Sequence, residues 1–244
     1  MRQKPDEVDS DNRPGVRMAA EGGELRLAQL MCSRLCHDLV GPAGAINAGV
    51  EFLHTGDGHD ESALGLLAAS GRQLTRRLAF YRVAFGLAGG AAGVMSLTEA
   101  RQLACDLLSG GRIELDWPLL GAGTDPQAPR PLEMVRLVLC QVLIAAEALP
   151  RGGRLEVRFD ERADHLQLTV GARGRDAGPS AELLAALRPD AVAAALTART
   201  VPGHFAARLA IGLGASLRID DGGGDRWTVS VAVPADPEVA ASAA

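Results

Sequence analysis

The residues most suited to chemistry in this chain are His37 and Asp38, in the phrase Leu35-Cys36-His37-Asp38-Leu39-Val40-Gly41-Pro42. A neutral imidazole is a nucleophile near pH 7. A carboxylate beside it can orient the ring and accept its proton. The face carrying His37 runs Leu30, Arg34, His37, Gly41, Gly44 and Ala48, and beyond the histidine it is nearly bare. Glycine inside a helix costs about 1 kcal/mol relative to alanine. Two glycines beside an outward imidazole suggest a partner that must come close. An ordinary surface histidine, with Gly41 merely preceding a kink at Pro42, accounts for the periodicity equally well. Metal chemistry fits less well. Cys32, Cys36 and His37 lack a fourth ligand, and the four cysteines form no CxxC pair. A metal-dependent phosphohydrolase built on a His-Asp pair needs further His and Asp. His54, His59, His165 and His204 instead fall in turns or at element ends.

Residues 24–53 read as one helix that holds this pair. Its apolar or small positions, Ala28, Cys32, Leu35, Leu39, Pro42, Ile46, Gly49 and Leu53, recur in alternating steps of 4 and 3. Pro42 removes one helical hydrogen bond and predicts a kink. A turn over His54–Glu61 leads to a second helix, Ser62–Phe85, with the seam Leu64, Leu67, Gly71, Leu74, Leu78, Tyr81 and Phe85. Two antiparallel helices cannot bury both seams alone. The economical solution is a homodimer forming a four-helix bundle; the alternative is a monomer packing on its own second domain. After a Gly- and Ala-rich linker, Gly86–Gly93, a capping box Ser96-Leu97-Thr98-Glu99 opens a helix to about Ser109. Then come a strand at 112–117, a helix at 131–149, strands at 154–160 and 165–170, Ala-rich helices over about 180–198, a helix at 204–213, and strands at 215–220 and 226–233. The fold class is α+β. Residues 1–23 form a disordered tail, 24–88 an antiparallel helical hairpin, 94–234 a two-layer α/β sandwich, and 235–244 a flexible tail.

Apolar residues make up 47% of the 244, but aromatics only 3%, so Ala, Leu and Val must build the core. Lys4 is the single lysine, and the net charge of -5 argues against non-specific nucleic-acid binding. The most apolar stretch, Met134–Leu149, is interrupted by Arg136, Gln141 and Glu147 and is too short to span a bilayer. The polar start carries no secretory signal, and four buried thiols in a reducing compartment are expected. A cytoplasmic protein that binds neither nucleic acid nor membrane is anticipated.

His37-Asp38-Leu39-Val40-Gly41-Pro42 resembles the H-box of sensor histidine kinases: His, acidic, aliphatic, variable, small polar, Pro. The wider phrase Ser33–Ile46 is similar to the ChpT-type histidine phosphotransferases, and the similarity continues more weakly from about residue 25 to 234. The resemblance implies a phosphorelay protein that accepts a phosphoryl group on His37, with Asp38 assisting. The donor would be the receiver domain of a hybrid histidine kinase, and the acceptors response-regulator aspartates. The docking face for these receivers would comprise Arg34, Val40, Gly41, Gly44 and Ala48. Arg76 and Arg77, about level with His37 on the second helix, are further candidates, though two solvated arginines are as good a reading. Gly41 stands where kinases that double as phosphatases carry Thr or Asn, so that activity is not expected.

The second domain resembles a degenerate kinase ATP-binding domain. The two N-box Asn positions are Gln141 and Ala145, the adenine-reading Asp position is Ala172, and the phosphate loop falls at Pro202-Gly203-His204-Phe205-Ala206. Alanine cannot ligate Mg²⁺, and one glycine followed by bulk cannot wrap a triphosphate. The chain is therefore expected to bind no cofactor or metal, with Mg²⁺ supplied by the partner receiver. The alternatives are an ATP-dependent histidine kinase and a dimeric scaffold without phosphotransfer.

Overall fold

A computed structural model describes residues 14–55, 61–86, 93–119 and 125–235, with side chains in the first helix over residues 22–54. The expected turn at 56–60, the interior of the expected linker at 87–92, residues 120–124 and the two chain ends lie outside the described residues.

Helix α1 spans Pro14–Thr55 and α2 spans Glu61–Ala84. α1 starts ten residues before the expected position, so the second half of the expected disordered tail is helical. Pro14 suits a first helical turn, where its missing N–H is not needed. Arg17, Met18, Ala19, Ala20 and Glu21 are all good helix formers, and they carry the helix through Gly22-Gly23. The α1 seam is covered from Leu35 to Leu53: Leu35, Leu39, Ile46 and Leu53 are partly covered, and Pro42 and Gly49 are buried; on α2, Leu67, Gly71 and Leu74 are partly covered and Tyr81 is buried, while Leu64 and Leu78 stay about half exposed. A Cβ on Gly49 would lie 2.8 Å from the Leu67 side chain, so a larger residue would force Leu67 to move. Ala28 and Cys32 remain exposed. Cys36 is exposed too, and only Cys140 is fully buried, which corrects the expectation of four buried thiols. The exposed pair sits on faces of α1 that neither α2 nor the α/β domain covers.

A short strand β1 (Val94–Ser96) pairs antiparallel with β3 (Pro129–Pro131). Between them lie α3 (Leu97–Leu108), opened by the expected capping box of Ser96 and Glu99, and β2 (Ile113–Asp116). Helix α4 (Leu132–Glu147) follows, and every residue from Met134 to Ala145 is buried. A helix that is apolar round most of its circumference belongs inside a core, and here it takes Arg136 and Gln141 with it. Strands β4 (Gly153–Glu161) and β5 (His165–Arg173) form a hairpin. After α5 (Ala181–Ala186), a 3-10 turn (Ala193–Ala195) and α6 (Val201–Gly212), the chain closes with β6 (Arg218–Asp220) and β7 (Arg226–Pro234). The sheet order is β2-β4-β5-β7-β6, with β2 and β4 parallel and the other neighbours antiparallel. Alternate residues of β5 and β7 are buried, so one face of the sheet packs on the helices.

Two expected elements are shorter. The Ala-rich run 180–198 yields only α5 and the 3-10 turn, because Pro189 cannot continue a helix and biases Arg188 away from helical geometry. The strand expected at 215–220 begins at Arg218, since the Ala215 N–H is still tied to the Ala210 carbonyl at the end of α6. At the turn before β4, Gly152 has φ 83°, and a side chain there would collide with the Arg112 backbone.

The hairpin and the α/β sandwich share one core. Phe80, Tyr81, Val83 and Ala84 at the end of α2 join α4, the sheet and α6 in a single buried cluster. Gly86, at the start of the linker, accepts a hydrogen bond from Arg136 at 2.6 Å, and Gly93, at its end, accepts one from the Leu132 N–H at 2.9 Å. Among the described residues, no helix is long and apolar enough to cross a membrane.

Candidate functional site

His37 stands on the outer side of α1 with its side chain 84% exposed, while its neighbour Asp38 is only 11% exposed. The imidazole Nδ1 lies 3.1 Å from Asp38 Oδ1. The second carboxylate oxygen, Oδ2, accepts from Arg34 Nε at 2.7 Å and from the Tyr81 hydroxyl. Burial pushes the Asp38 carboxyl up, but hydrogen bonds from Tyr81 and His37 and the charge of Arg34 outweigh it, so its pKa falls below the usual carboxylate value. Asp38 is therefore ionised at neutral pH. An ionised carboxylate can only accept, so His37 Nδ1 is the donor in the bond with Asp38. The lone pair of a neutral ring is then on Nε2.

The backbone at Asp38 is supported as well. Its carbonyl would normally accept from the amide of residue 42, but Pro42 has no N–H. Arg77 Nη1 from α2 supplies the missing donor at 2.6 Å. The helix is thus braced one residue from His37.

Arg34 departs from its expected place on the docking face. Its side chain is only 11% exposed and lies between two carboxylates: Nε bonds Asp38, and Nη2 pairs with Glu147 Oε1 at the end of α4. Burial alone would lower the Arg34 pKa, but its two acidic neighbours raise it above the ordinary value. Burial likewise raises the Glu147 carboxyl, against the pull of Arg34 and Arg199. Arg76 also departs. It turns away from His37 to bond Ser109 Oγ at 2.5 Å and lines a groove between α2 and α3. A residue one step from Arg77 on a helix points about 100° away, so only one of the pair can face α1. Val40, Gly41, Gly44 and Ala48 are exposed as expected, and a Cβ at Gly41 or Gly44 would meet nothing within 4 Å.

Tyr81 and Glu147 join the site without having been singled out for it. Tyr81 is the chain's only tyrosine, and its ring stacks on Phe85 at 5.6 Å, which in turn meets Phe205 of α6 edge-on at 5.8 Å. Burial and then its bond to Asp38 raise its pKa, so it remains a protonated donor. Its sequence signal was its seam position, about one turn from the residues level with His37. The signal for Glu147 was an acidic residue at the end of the most apolar stretch of the chain.

The positions that resemble kinase nucleotide motifs lie in the interior of the α/β domain. Gln141 and Ala145 are wholly buried, and Ala172 is buried within β5. Gly203 lies inside α6 rather than in a loop, with space for a Cβ closed by Leu183 at 2.8 Å.

The family described as "Histidine phosphotransferase C-terminal domain" matches residues 97–225, more than half of the chain. The chain belongs to the histidine phosphotransferase family. "Protein phosphotransferase ChpT" of Brucella abortus (strain 2308) is 38% identical over 151 residues, which cover 62% of this chain and 69% of that protein. A solved structure described as a bacterial phosphotransferase superposes with a TM-score of 0.70 at 29% identity, covering 85% of this chain and 96% of that one. The function of this chain is histidine phosphotransfer in a phosphorelay.

Proposed function

We propose that His37 is the phosphoacceptor of this histidine phosphotransferase, and that it shuttles a phosphoryl group between receiver domains. The observation that carries this is one exposed imidazole whose Nδ1 is held by a carboxylate fixed by Arg34 and Tyr81. Nε2 attacks the phosphorus of an aspartyl phosphate on the donor receiver. The N–P bond forms as the acyl O–P bond breaks, and the receiver carboxylate leaves with the electron pair. The ring is then cationic, and Asp38 offsets that charge through Nδ1. The reverse steps deliver the phosphoryl group to a response-regulator aspartate. Mg²⁺ belongs to the receiver, so this chain needs to bring only the imidazole and its supports.

Val40, Gly41, Gly44 and Ala48 offer the receiver a close approach. The donor is the receiver of a hybrid histidine kinase. The protein works as a cytoplasmic homodimer. Leu64 and Leu78, both on the seam of α2, are about half exposed in the single chain and would be covered by a second hairpin. The packing of Gln141, Ala145, Ala172 and Gly203 favours a receiver over ATP as the source of the phosphoryl group. To test this, the purified chain is incubated with radiolabelled ATP alone, and then with a receiver phosphorylated by its kinase. Label is expected only in the second case. Labelling by ATP alone would restore the kinase reading, and a chain unlabelled in both would leave only a scaffold.

A further inference from the structure

The α/β domain reaches the side chains around His37. Glu147, the last residue of α4, pairs with Arg34 Nη2, while Nε of the same guanidinium bonds Asp38 at 2.7 Å. Asp38 in turn holds His37. The three charged side chains are largely enclosed, with exposures of 17% for Glu147 and 11% for Arg34 and Asp38. A guanidinium is a rigid planar fork, so fixing one edge fixes the direction of the other. Without Glu147, the Arg34 fork is free to rotate about its long stem, and the Nε–H need not face Asp38. Tyr81 and Arg77 also act on Asp38, but both come from the hairpin. Glu147 is the one group in this chain of contacts that the α/β domain supplies.

The geometry points to Glu147 as a positioning residue for phosphotransfer, acting through Arg34 and Asp38 on the His37 imidazole. This rests on His37 being the phosphoacceptor. Glu147 touches neither the imidazole nor any reacting atom. Its part is to hold the guanidinium so that the Asp38 carboxylate keeps one oxygen for His37. The α/β domain thereby completes the transfer centre that the hairpin carries.

The test is single-turnover transfer from a phosphorylated receiver to the full-length chain. Glu147→Met keeps the side-chain length but removes the acceptor. It should slow the transfer step about tenfold, since small misplacements of a catalytic group cost one to two orders of magnitude. The receiver concentration at half-maximal rate should not change. Glu147→Gln retains an acceptor oxygen and should restore most of the rate. In an Asp38→Asn background, Glu147→Met should cost less than about twofold more, because residues acting as one unit are not additive. Arg34→Lys keeps a charge but cannot span both carboxylates. It should reproduce the slow rate, and it decides the question if Glu147→Met does not fold. The inference is overturned if Glu147→Met, or Arg34→Lys in its place, transfers at the wild-type rate. It is equally overturned if the loss persists in full beside Asp38→Asn, or lies in receiver affinity alone. A His37→Gln control separates the two levels. If that variant is still labelled, the phosphoacceptor reading itself fails; if it is dark and Glu147→Met is normal, only the role of Glu147 does.

Discussion

Replacing Arg77 by methionine tests how the site is braced. The substitution keeps an apolar stem of similar length and removes the donor that reaches the Asp38 carbonyl at 2.6 Å. A hydrogen bond from a charged group contributes about 1.5–3 kcal/mol, and the carbonyl left behind has no helical amide to turn to, because residue 42 is proline. For a chain of this size, each kcal/mol shifts the melting temperature by about 2–4 °C, so Arg77→Met should lower it by roughly 3–12 °C. The informative experiment is a double-mutant cycle with Pro42→Ala, followed by urea unfolding monitored by circular dichroism. Alanine restores the amide and gives the Asp38 carbonyl its own helical partner. Arg77→Met should then cost at least about 1 kcal/mol less than in the wild-type background, well outside the ~0.5 kcal/mol scatter of independent sites. Additive effects would show that Arg77 does not substitute for the amide that Pro42 lacks.

Further substitutions test the docking face, the dimer and the charge state of Asp38. Gly44→Leu should hold or raise the melting temperature, as leucine is the better helix former by up to about 1 kcal/mol and a Cβ there meets nothing within 4 Å. It should nevertheless slow receiver transfer about tenfold or more, equivalent to about 1.4 kcal/mol of lost docking; a wild-type rate would place the docking face elsewhere. Leu78→Glu should turn a dimer into a monomer by light scattering at micromolar concentration, since each buried leucine contributes about 1.5–3 kcal/mol. A wild-type monomer would refute the bundle. Folding lowers the pKa of Asp38, so its stabilisation is fully present above the unfolded value of about 4 and is lost as the pH falls through the lower folded value. The stability gap between wild type and Asp38→Asn should therefore stay constant from about pH 8 to 5 and narrow below about pH 4, as measured by urea unfolding; a gap that closes between about pH 7 and 5 would mean that Asp38 is not held ionised.

The parts of this account legible in the sequence are those set by local pattern. The 4-and-3 spacing revealed the hairpin, the Ser96–Glu99 capping box gave the start of α3, and counting back from the turn brought Arg77 level with His37. Composition did not reveal where the first helix starts, because Gly22-Gly23 looks like a break that its flanking helix formers override. The same counting admitted Arg76 equally with Arg77, and only the rotation of α2 separates them. The Arg34–Glu147 pair was harder still. Its members lie in different domains, and nothing in a one-dimensional pattern shows that the end of α4 meets the middle of α1. That contact depends on Phe80–Ala84 being sunk into the core of the α/β domain. Arg34 therefore read as a surface arginine facing a partner, when its partners are internal.

The claim that matters most is that His37 carries the phosphoryl group, and its position on the chain can be mapped. The protein is charged by a phosphorylated receiver, kept at neutral to alkaline pH to preserve the phosphoramidate, and digested and fragmented in a mass spectrometer. One modified residue is expected, His37, with nitrogen-15 NMR placing the phosphorus on Nε2 because Nδ1 is engaged by Asp38. A phosphoryl group on any other residue, or a His37→Gln variant that is charged at the wild-type rate, would contradict that claim.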